Sequence, residues 1–237
     1  MKISHVIKWG MKGHSLARIC QNADIEKTVI AHGSVIDLGS KDSKSSYFQH
    51  MTEDGSPDYT FVDYFHEGDN IIKADLEKPI NMSQNSFDTV LLFNVLEHIY
   101  NTKNIINESF RILKEDGVLY GGNPFMYKYH RDPSDFWRFT HEAMERMLID
   151  AGFSEVRVIP SGVGSFTVAA NQVAKRLRFK PLIAVSYALA VLLDRYLGKL
   201  VKRNDEFYLG IVYSARKPTE GSVKARTQNG IDVTSSS

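Results

Sequence analysis

Residues 123–140 read N-P-F-M-Y-K-Y-H-R-D-P-S-D-F-W-R-F-T, an unusual density of histidine, acid, arginine and aromatic rings for a connecting segment. His130 is the side chain suited to general-base work near neutral pH. Asp135 can orient that imidazole or act as the base itself. Arg138 can pair with an anionic acceptor or with Asp135, and Trp137 and Tyr129 offer flat faces for a sugar ring. A purely structural role is equally open: Asp135 and Arg138 as an ion pair that fixes the segment, Trp137 as core. Further upstream, Asp37 with Gly39, then Asp63, then Asp75, then Asn94 each stand at or beside the end of a short apolar run. Carboxylates in register at one edge would accept hydrogen bonds from the donors of a bound ligand. Gly39 would let backbone approach that ligand closely. Asn94-x-x-Glu97 has the spacing of a capping box, which makes Glu97 structural. Asn94 can cap and still reach the ligand's amino-acid end; His98 either lines the site or braces the loop.

The elements that must position these residues follow from the pattern. Short β-branched runs at 34–39, 59–64, 70–76, 87–94 and 117–122 predict buried strands of a mostly parallel sheet. Two more are expected at 155–160 and 207–216. Residues 102–114 carry Ile105, Ile106, Phe110 and Leu113 at helical spacing, with Gly117 as the stop signal. A second helix is expected over 141–151, capped by Thr140 and ended by Gly152-Phe153 in a Schellman turn. Repeated β-α order predicts a Rossmann-like α/β fold with helices on both faces. Ligands of such sheets bind beyond the carboxyl ends of the strands, where the aspartates stand. No G-x-G-x-x-G run follows the first strand, which excludes a dinucleotide-binding dehydrogenase.

V-I-D-L-G-S (35–40), F-V-D-Y (61–64), K-A-D-L (73–76), S-F-D-T-V-L-L-F-N-V-L-E-H-I (86–99) and R-I-L-K-E-D-G-V-L-Y (111–120) together resemble the class I S-adenosylmethionine-dependent methyltransferases of the type 11 kind. The resemblance covers roughly residues 30 to 160. It implies the seven-stranded methyltransferase sheet and S-adenosylmethionine as cofactor. It also implies a binding set of Asp37, Gly39, Ser40, Asp63, Asp75, Leu76 and Asn94, with Asp63 on the ribose and Asp75 and Leu76 beside the adenine. The loop 39–46 departs from the family: it reads G-S-K-D-S-K-S-S, with Lys41 and Ser43 where further glycines are usual. The 123–140 segment is similar to the H-x-x-P-x-D-[YF]-W-R-[FY]-T signature of a subgroup associated with surface-glycan biosynthesis. On that basis His130, Asp135, Arg138 and His98 are the candidate catalytic residues, and no metal ligands are assigned. The expected reaction is O-methylation of a sugar, glycan or lipid-linked glycan, the acceptor being a small molecule or a glycan. A non-catalytic binding protein on the same fold, or an enzyme for a small lipophilic molecule, are the competing readings.

The 237 residues suffice for one large domain, expected over 1–216. With 29 basic and 28 acidic side chains there is no sign of a nucleic-acid groove. Cys20 is the single cysteine, so no disulfide forms within the chain, and a cytoplasmic location is expected. Between the last two strands an insert, 171–204, sets an apolar run at 182–193 between basic clusters, with Leu182, Val185, Leu189, Leu192, Tyr196 and Leu200 at helical spacing. The run reads as too short to span a bilayer. Its basic flanks predict either peripheral contact of 175–203 with the inner membrane face or a lid or dimer helix. The polar tail 217–237 is expected to be disordered, and the sequence assigns no oligomeric state.

Overall fold

The computed structural model describes residues 1–40, Asp42 and 45–221. Lys41 and Ser43, and the tail beyond residue 221, lie outside them. Seven strands are present: β1 Ile30–Leu38, β2 Thr52–Asp63, β3 Ile71–Lys73, β4 Phe87–Phe93, β5 Leu113–Pro124, β6 Ser154–Ser161 and β7 Gly210–Arg216. They form one sheet in the order β3-β2-β1-β4-β5-β7-β6. The first five run parallel, and β7 lies antiparallel between β5 and β6. The order reverses between β1 and β4, which places the ligand-binding crevice at their carboxyl ends. This is the Rossmann-like class I methyltransferase sheet with helices inserted before the last strand.

Alternation along the central strand builds the two faces. Val90 and Leu92 of β4 join a core with Ile36, Leu38, Ile105 and Leu148. Leu91 and Phe93 join another with Ile25, Val35 and Tyr47. Helix α3, Thr102–Ile112, covers the first face with the predicted stripe. It stops at Ile112 and passes straight into β5, so Gly117 is not its terminator. Gly117 sits inside the strand, where an added Cβ would come within 2.9 Å of the Lys114 carbonyl oxygen. Helix α4, His141–Asp150, begins and ends as read: Thr140 accepts from the Ala143 N–H at 3.1 Å, and Gly152 takes φ +100°.

Two helices precede the sheet where the sequence reading placed no element: α1, Ile3–Met11, and α2, Leu16–Thr28. Ser15 caps α2 by accepting from the Arg18 N–H at 3.2 Å, and Leu16, Ile19, Cys20 and Ala23 supply its buried face. The insert also starts earlier than expected, with α5 at Ser165–Val173 and then α6 at Lys180–Leu197. Helix α6 packs on α1 and α5. Its buried side is made of small residues and one ring, Ala184, Tyr187, Ala188 and Ala190. The stripe of large apolar side chains faces outward instead: Leu182, Val185, Leu189, Tyr196 and Leu200 are all exposed, Leu200 by 82%. Contrary to the sequence reading, the stretch Lys180–Leu200 is long and apolar enough to cross a membrane by length and composition. Of the tail, Lys217 is anchored: its Nζ donates to the Leu113 carbonyl at 2.7 Å and to Asn85 Oδ1 at 2.8 Å.

Asp194 of α6 holds the start of α5, accepting from the Phe166 N–H at 3.2 Å and the Thr167 N–H at 2.6 Å. Asp194→Ala removes that cap and is expected to cost about 1–2 kcal/mol. Urea unfolding measures it, and a variant as stable as the wild type would show that the insert does not depend on this contact.

Candidate functional site

Two cavities open at the carboxyl edge of the sheet. The first, about 300 Å³, is lined by Gly39, Asp63, Asp75, Leu76, Asn94, Val95 and His98, with Tyr64 and Phe65 at its side and Asp132, Ser134 and Phe136 above. The second, about 160 Å³, is lined by Arg18, Gln21, Asn94, Glu97, Asn123, Tyr127 and His130, and on an apolar side by Pro124, Leu209 and Ile211. Asn94 lines both. It leaves β4 in the left-handed region, φ +56°, with its N–H on the Gly122 carbonyl at 2.7 Å. Its side chain makes a reciprocal amide pair with Gln21 of α2, both bonds 3.1 Å.

The strand-end residues of the first cavity stand as their register requires. Asp63 takes three hydrogen bonds, from the N–H groups of Phe65 and His66 and from the His66 ring, all at Oδ1. Burial pushes its carboxyl up, but those bonds outweigh burial and hold it below the ordinary range. Asp75 accepts from the Glu77 N–H and pairs with Lys78 at 3.1 Å. Gly39 takes φ +99°, and a Cβ there would come within 2.4 Å of Val95 Cγ2. No ordinary residue fits that turn, and the cavity floor passes directly beneath it. Free carboxylate oxygen, a glycine floor and two aromatic rings are the chemistry a nucleoside's hydroxyls, amine and base require, so these residues fit S-adenosylmethionine.

Two of the expected cofactor ligands are placed differently. Asp37 is fully buried, its Oδ2 is taken by the Tyr47 hydroxyl, and it lines neither cavity. The hydrophobic strand end draws it under the site rather than into it. Burial raises its carboxyl to about 7, and the Tyr47 bond opposes the rise. Ser40 is also buried, its hydroxyl donating to the Asp42 carbonyl at 2.8 Å.

The loop 123–140 covers both cavities, but its side chains divide differently from expectation. Asp135 is a structural clamp. It takes a two-pronged pair from Arg138, at 2.5 and 2.7 Å, and the His130 N–H at 2.7 Å. Arg138 holds its carboxyl at about 2. The other Nη protons of Arg138 go to the Trp137 and Lys128 carbonyls, so the pair is tied mainly into the loop itself. Trp137 donates to the Ile99 carbonyl at 3.0 Å and stacks near Tyr100. Tyr129 is exposed, bonded to Arg131. Neither ring lines the second cavity; Tyr127 does.

His130 does reach that cavity. It lies edge-on to His98 with ring centroids 5.0 Å apart, and burial lowers its pKa while the Asp135 charge opposes. His98 Nδ1 meets the Ser134 carbonyl at 2.5 Å, and its Nε2 is 3.8 Å from Glu97 Oε1. Glu97 is not the capping residue its spacing suggested. The turn Leu96–His98 has no side-chain cap, and Glu97 Oε2 accepts from Asn123 at 2.9 Å, 26 residues away. Burial raises the Glu97 carboxyl, with its own backbone N–H, the Asn123 bond and His98 opposing.

The sequence reading missed Arg18, Gln21, Asn123 and Tyr127. The signal for the first two was available: Ser15 as an N-cap before an amphipathic run that puts Arg18 and Gln21 three apart. Arg18 Nη1 bonds Gln21 Oε1 at 3.3 Å, and burial lowers its pKa, with Tyr127, Tyr47 and Glu97 opposing.

Comparison with known proteins agrees with this fold. Residues 47–121 match the family model described as a methyltransferase domain. The match begins just past the glycine-poor loop, a narrower span than the 30–160 over which the motifs were read. No curated protein matches the chain. Among solved structures, the [4+2]-cyclase SpnF is similar at 18% identity and TM-score 0.50, covering 84% of this chain and 78% of that one. An S-adenosylmethionine-dependent methyltransferase from Archaeoglobus fulgidus is similar at 16% identity and TM-score 0.50, covering 85% and 92%. These likenesses concern the fold.

A raised carboxyl destabilises the native state as it ionises. The Asp37 contribution is complete below the unfolded value near 3.8 and is lost as pH rises through about 7. Asp37→Asn is therefore expected to gain melting temperature over the wild type between pH 4 and 7, with a constant advantage above that. An advantage that shrinks with rising pH would contradict the assignment.

Proposed function

Starting from a chain that carries a class I S-adenosylmethionine-dependent methyltransferase domain and is an enzyme of that class, we propose that it methylates an oxygen of a small molecule with an apolar body and a hydroxylated head. The observation that supports this is the pair of cavities meeting at Asn94. One has the acids of a cofactor site, the other a separate lining. Pro124, Leu209 and Ile211 suit an apolar body; Arg18, Gln21, Tyr127 and the Glu97–His98–His130 group suit polar atoms. The glycan reading rested on the resemblance of the 123–140 loop; Trp137 and Tyr129, the rings offered there as sugar faces, do not line this cavity.

The cofactor, when bound, supplies an electrophilic sulfonium methyl. Asp63, Asp75, Leu76 and Gly39 hold its nucleoside part. Asn94, locked by Gln21, sets the boundary across which the acceptor oxygen must meet the methyl in line, and such positioning is a large share of rate in displacement reactions. The acceptor's hydroxyl would face the Glu97–His98–His130 group, which would favour loss of its proton.

We infer further that the outward face of α6 rests on an anionic membrane surface, which suits a partly apolar acceptor. The exposed Leu182, Val185, Leu189 and Leu200 are flanked by Arg176, Arg178, Lys180, Lys199 and Lys202. Each basic group near such a surface contributes roughly 1 kcal/mol.

Two measurements check these readings. Calorimetry with S-adenosylhomocysteine is expected to show binding that Asp63→Ala weakens by about 1.5–3 kcal/mol; no wild-type binding at millimolar ligand would end the cofactor assignment. Sedimentation with phosphatidylglycerol-containing vesicles is expected to bring the protein down at low salt, less at high salt. Glutamine at positions 176, 178, 180 and 199 should abolish it. Wild type that stays in the supernatant would assign the face to a lid or dimer contact.

A further inference from the structure

We propose that Glu97, His98 and His130 bind a first-row divalent cation, Zn²⁺ foremost, at the acceptor cavity. This deepens the functional reading and rests on it for the identity of the cavity, though not for the ion's binding.

The three side chains place one ligand atom each within 4.8 Å of one another. Four ligands at the usual 2.0–2.2 Å from a tetrahedral ion stand about 3.3–3.5 Å apart. Small side-chain rotations therefore close the set. Glu97 Oε1 and His98 Nε2 are already at 3.8 Å, too long for a hydrogen bond and close to the spacing of two ligands on one ion.

Three further observations point to a ligand. Glu97 is fully buried, and while Oε2 is held by Asn123, Oε1 has no partner. A buried carboxylate oxygen left bare is unfavourable unless something positive meets it. His98 faces a carbonyl with Nδ1. A carbonyl only accepts, so Nδ1 carries a proton and Nε2 is the nitrogen turned toward Glu97. An oriented imidazole with its other nitrogen on a carbonyl is the usual support of a metal-bound histidine. His130 brings a ring nitrogen to the same point; its buried Nδ1 makes no hydrogen bond and lies 3.6 Å from Asp135 Oδ2, and its backbone is fixed by Asp135. Two histidines and one carboxylate with open positions suit Zn²⁺ and other borderline ions better than Mg²⁺, which favours oxygen ligands.

Such an ion would hold the acceptor hydroxyl as a ligand and ease loss of its proton to solvent. The oxygen then forms its bond to the methyl carbon as the carbon–sulfur bond breaks and sulfur keeps the electron pair. His130 is then a ligand rather than a general base.

The test uses the full-length protein stripped with chelator. Titration with Zn²⁺, followed by calorimetry and metal analysis after dialysis, is expected to give one ion per chain. Glu97→Gln and His130→Ala should each weaken binding by about 10²-fold, while binding of S-adenosylhomocysteine and melting temperature without metal stay near wild type. Mg²⁺ should bind far more weakly. The chain holds another histidine group, His5, His14 and His50 around Trp9, so His50→Ala is the control. Loss of Zn²⁺ binding in His50→Ala with retention in Glu97→Gln overturns the proposal, as does a wild type that takes up no ion. In the latter case intact S-adenosylhomocysteine binding leaves the methyltransferase reading standing; the reverse result, ion bound and cofactor not, leaves the metal site and removes the cofactor assignment.

Discussion

The amide pair between Asn94 and Gln21 is the contact on which the site's layout depends. Asn94 must leave β4 in a left-handed conformation, a cost that asparagine bears better than most residues. That turn lets its side chain meet Gln21 across 73 positions of sequence. Through it, α2 is fastened over the switch point of the sheet, and Asn94 stands between the two cavities there. Arg18, one helical turn from Gln21, is brought to the acceptor side by the same contact.

The second constraint is the Asp135–Arg138 clamp. A two-pronged arginine–carboxylate pair with an additional backbone donor is directional, and it organises a loop that has no regular secondary structure. With Asp135 tied at both oxygens, the loop backbone presents His130 to one cavity and Ser134 and Phe136 to the other. The most chemistry-laden residues of the sequence thus divide into scaffolding and working groups. Only His130 of the loop's predicted catalytic residues reaches the acceptor cavity.

The first strand shows how an acid at the right position can serve a different end. Asp37 is buried on the face of β1 opposite to Ile36 and Leu38, and its carboxyl bonds Tyr47 rather than a ligand. Tyr47 begins the segment that matches the methyltransferase family. Gly39, with a backbone angle open to few residues, lines the first cavity.

Residues whose function is set by local geometry were legible from the sequence alone. The strand ends at Asp63 and Asp75, the turn at Gly39, the cap at Thr140 and the stripe of α3 follow from periods of two and 3.6 and from backbone preferences, which act over a few residues. The helices α1 and α2 were signalled only by a cap and a short amphipathic run, and their importance was invisible because their partners lie in β4 and beyond. Glu97 carried a local signal that pointed the wrong way: its spacing from Asn94 matches a cap, but burial against Asn123 gives the carboxylate a stronger partner than a helix end exposed to water. In the insert the alanines turn to the protein and the leucines outward, because small side chains let α6 approach α1 closely, and no local pattern says which side that is. Which of two polar partners a side chain takes depends on who is nearest once the chain is folded and on which of them is out of water. That comparison exists only in the tertiary structure.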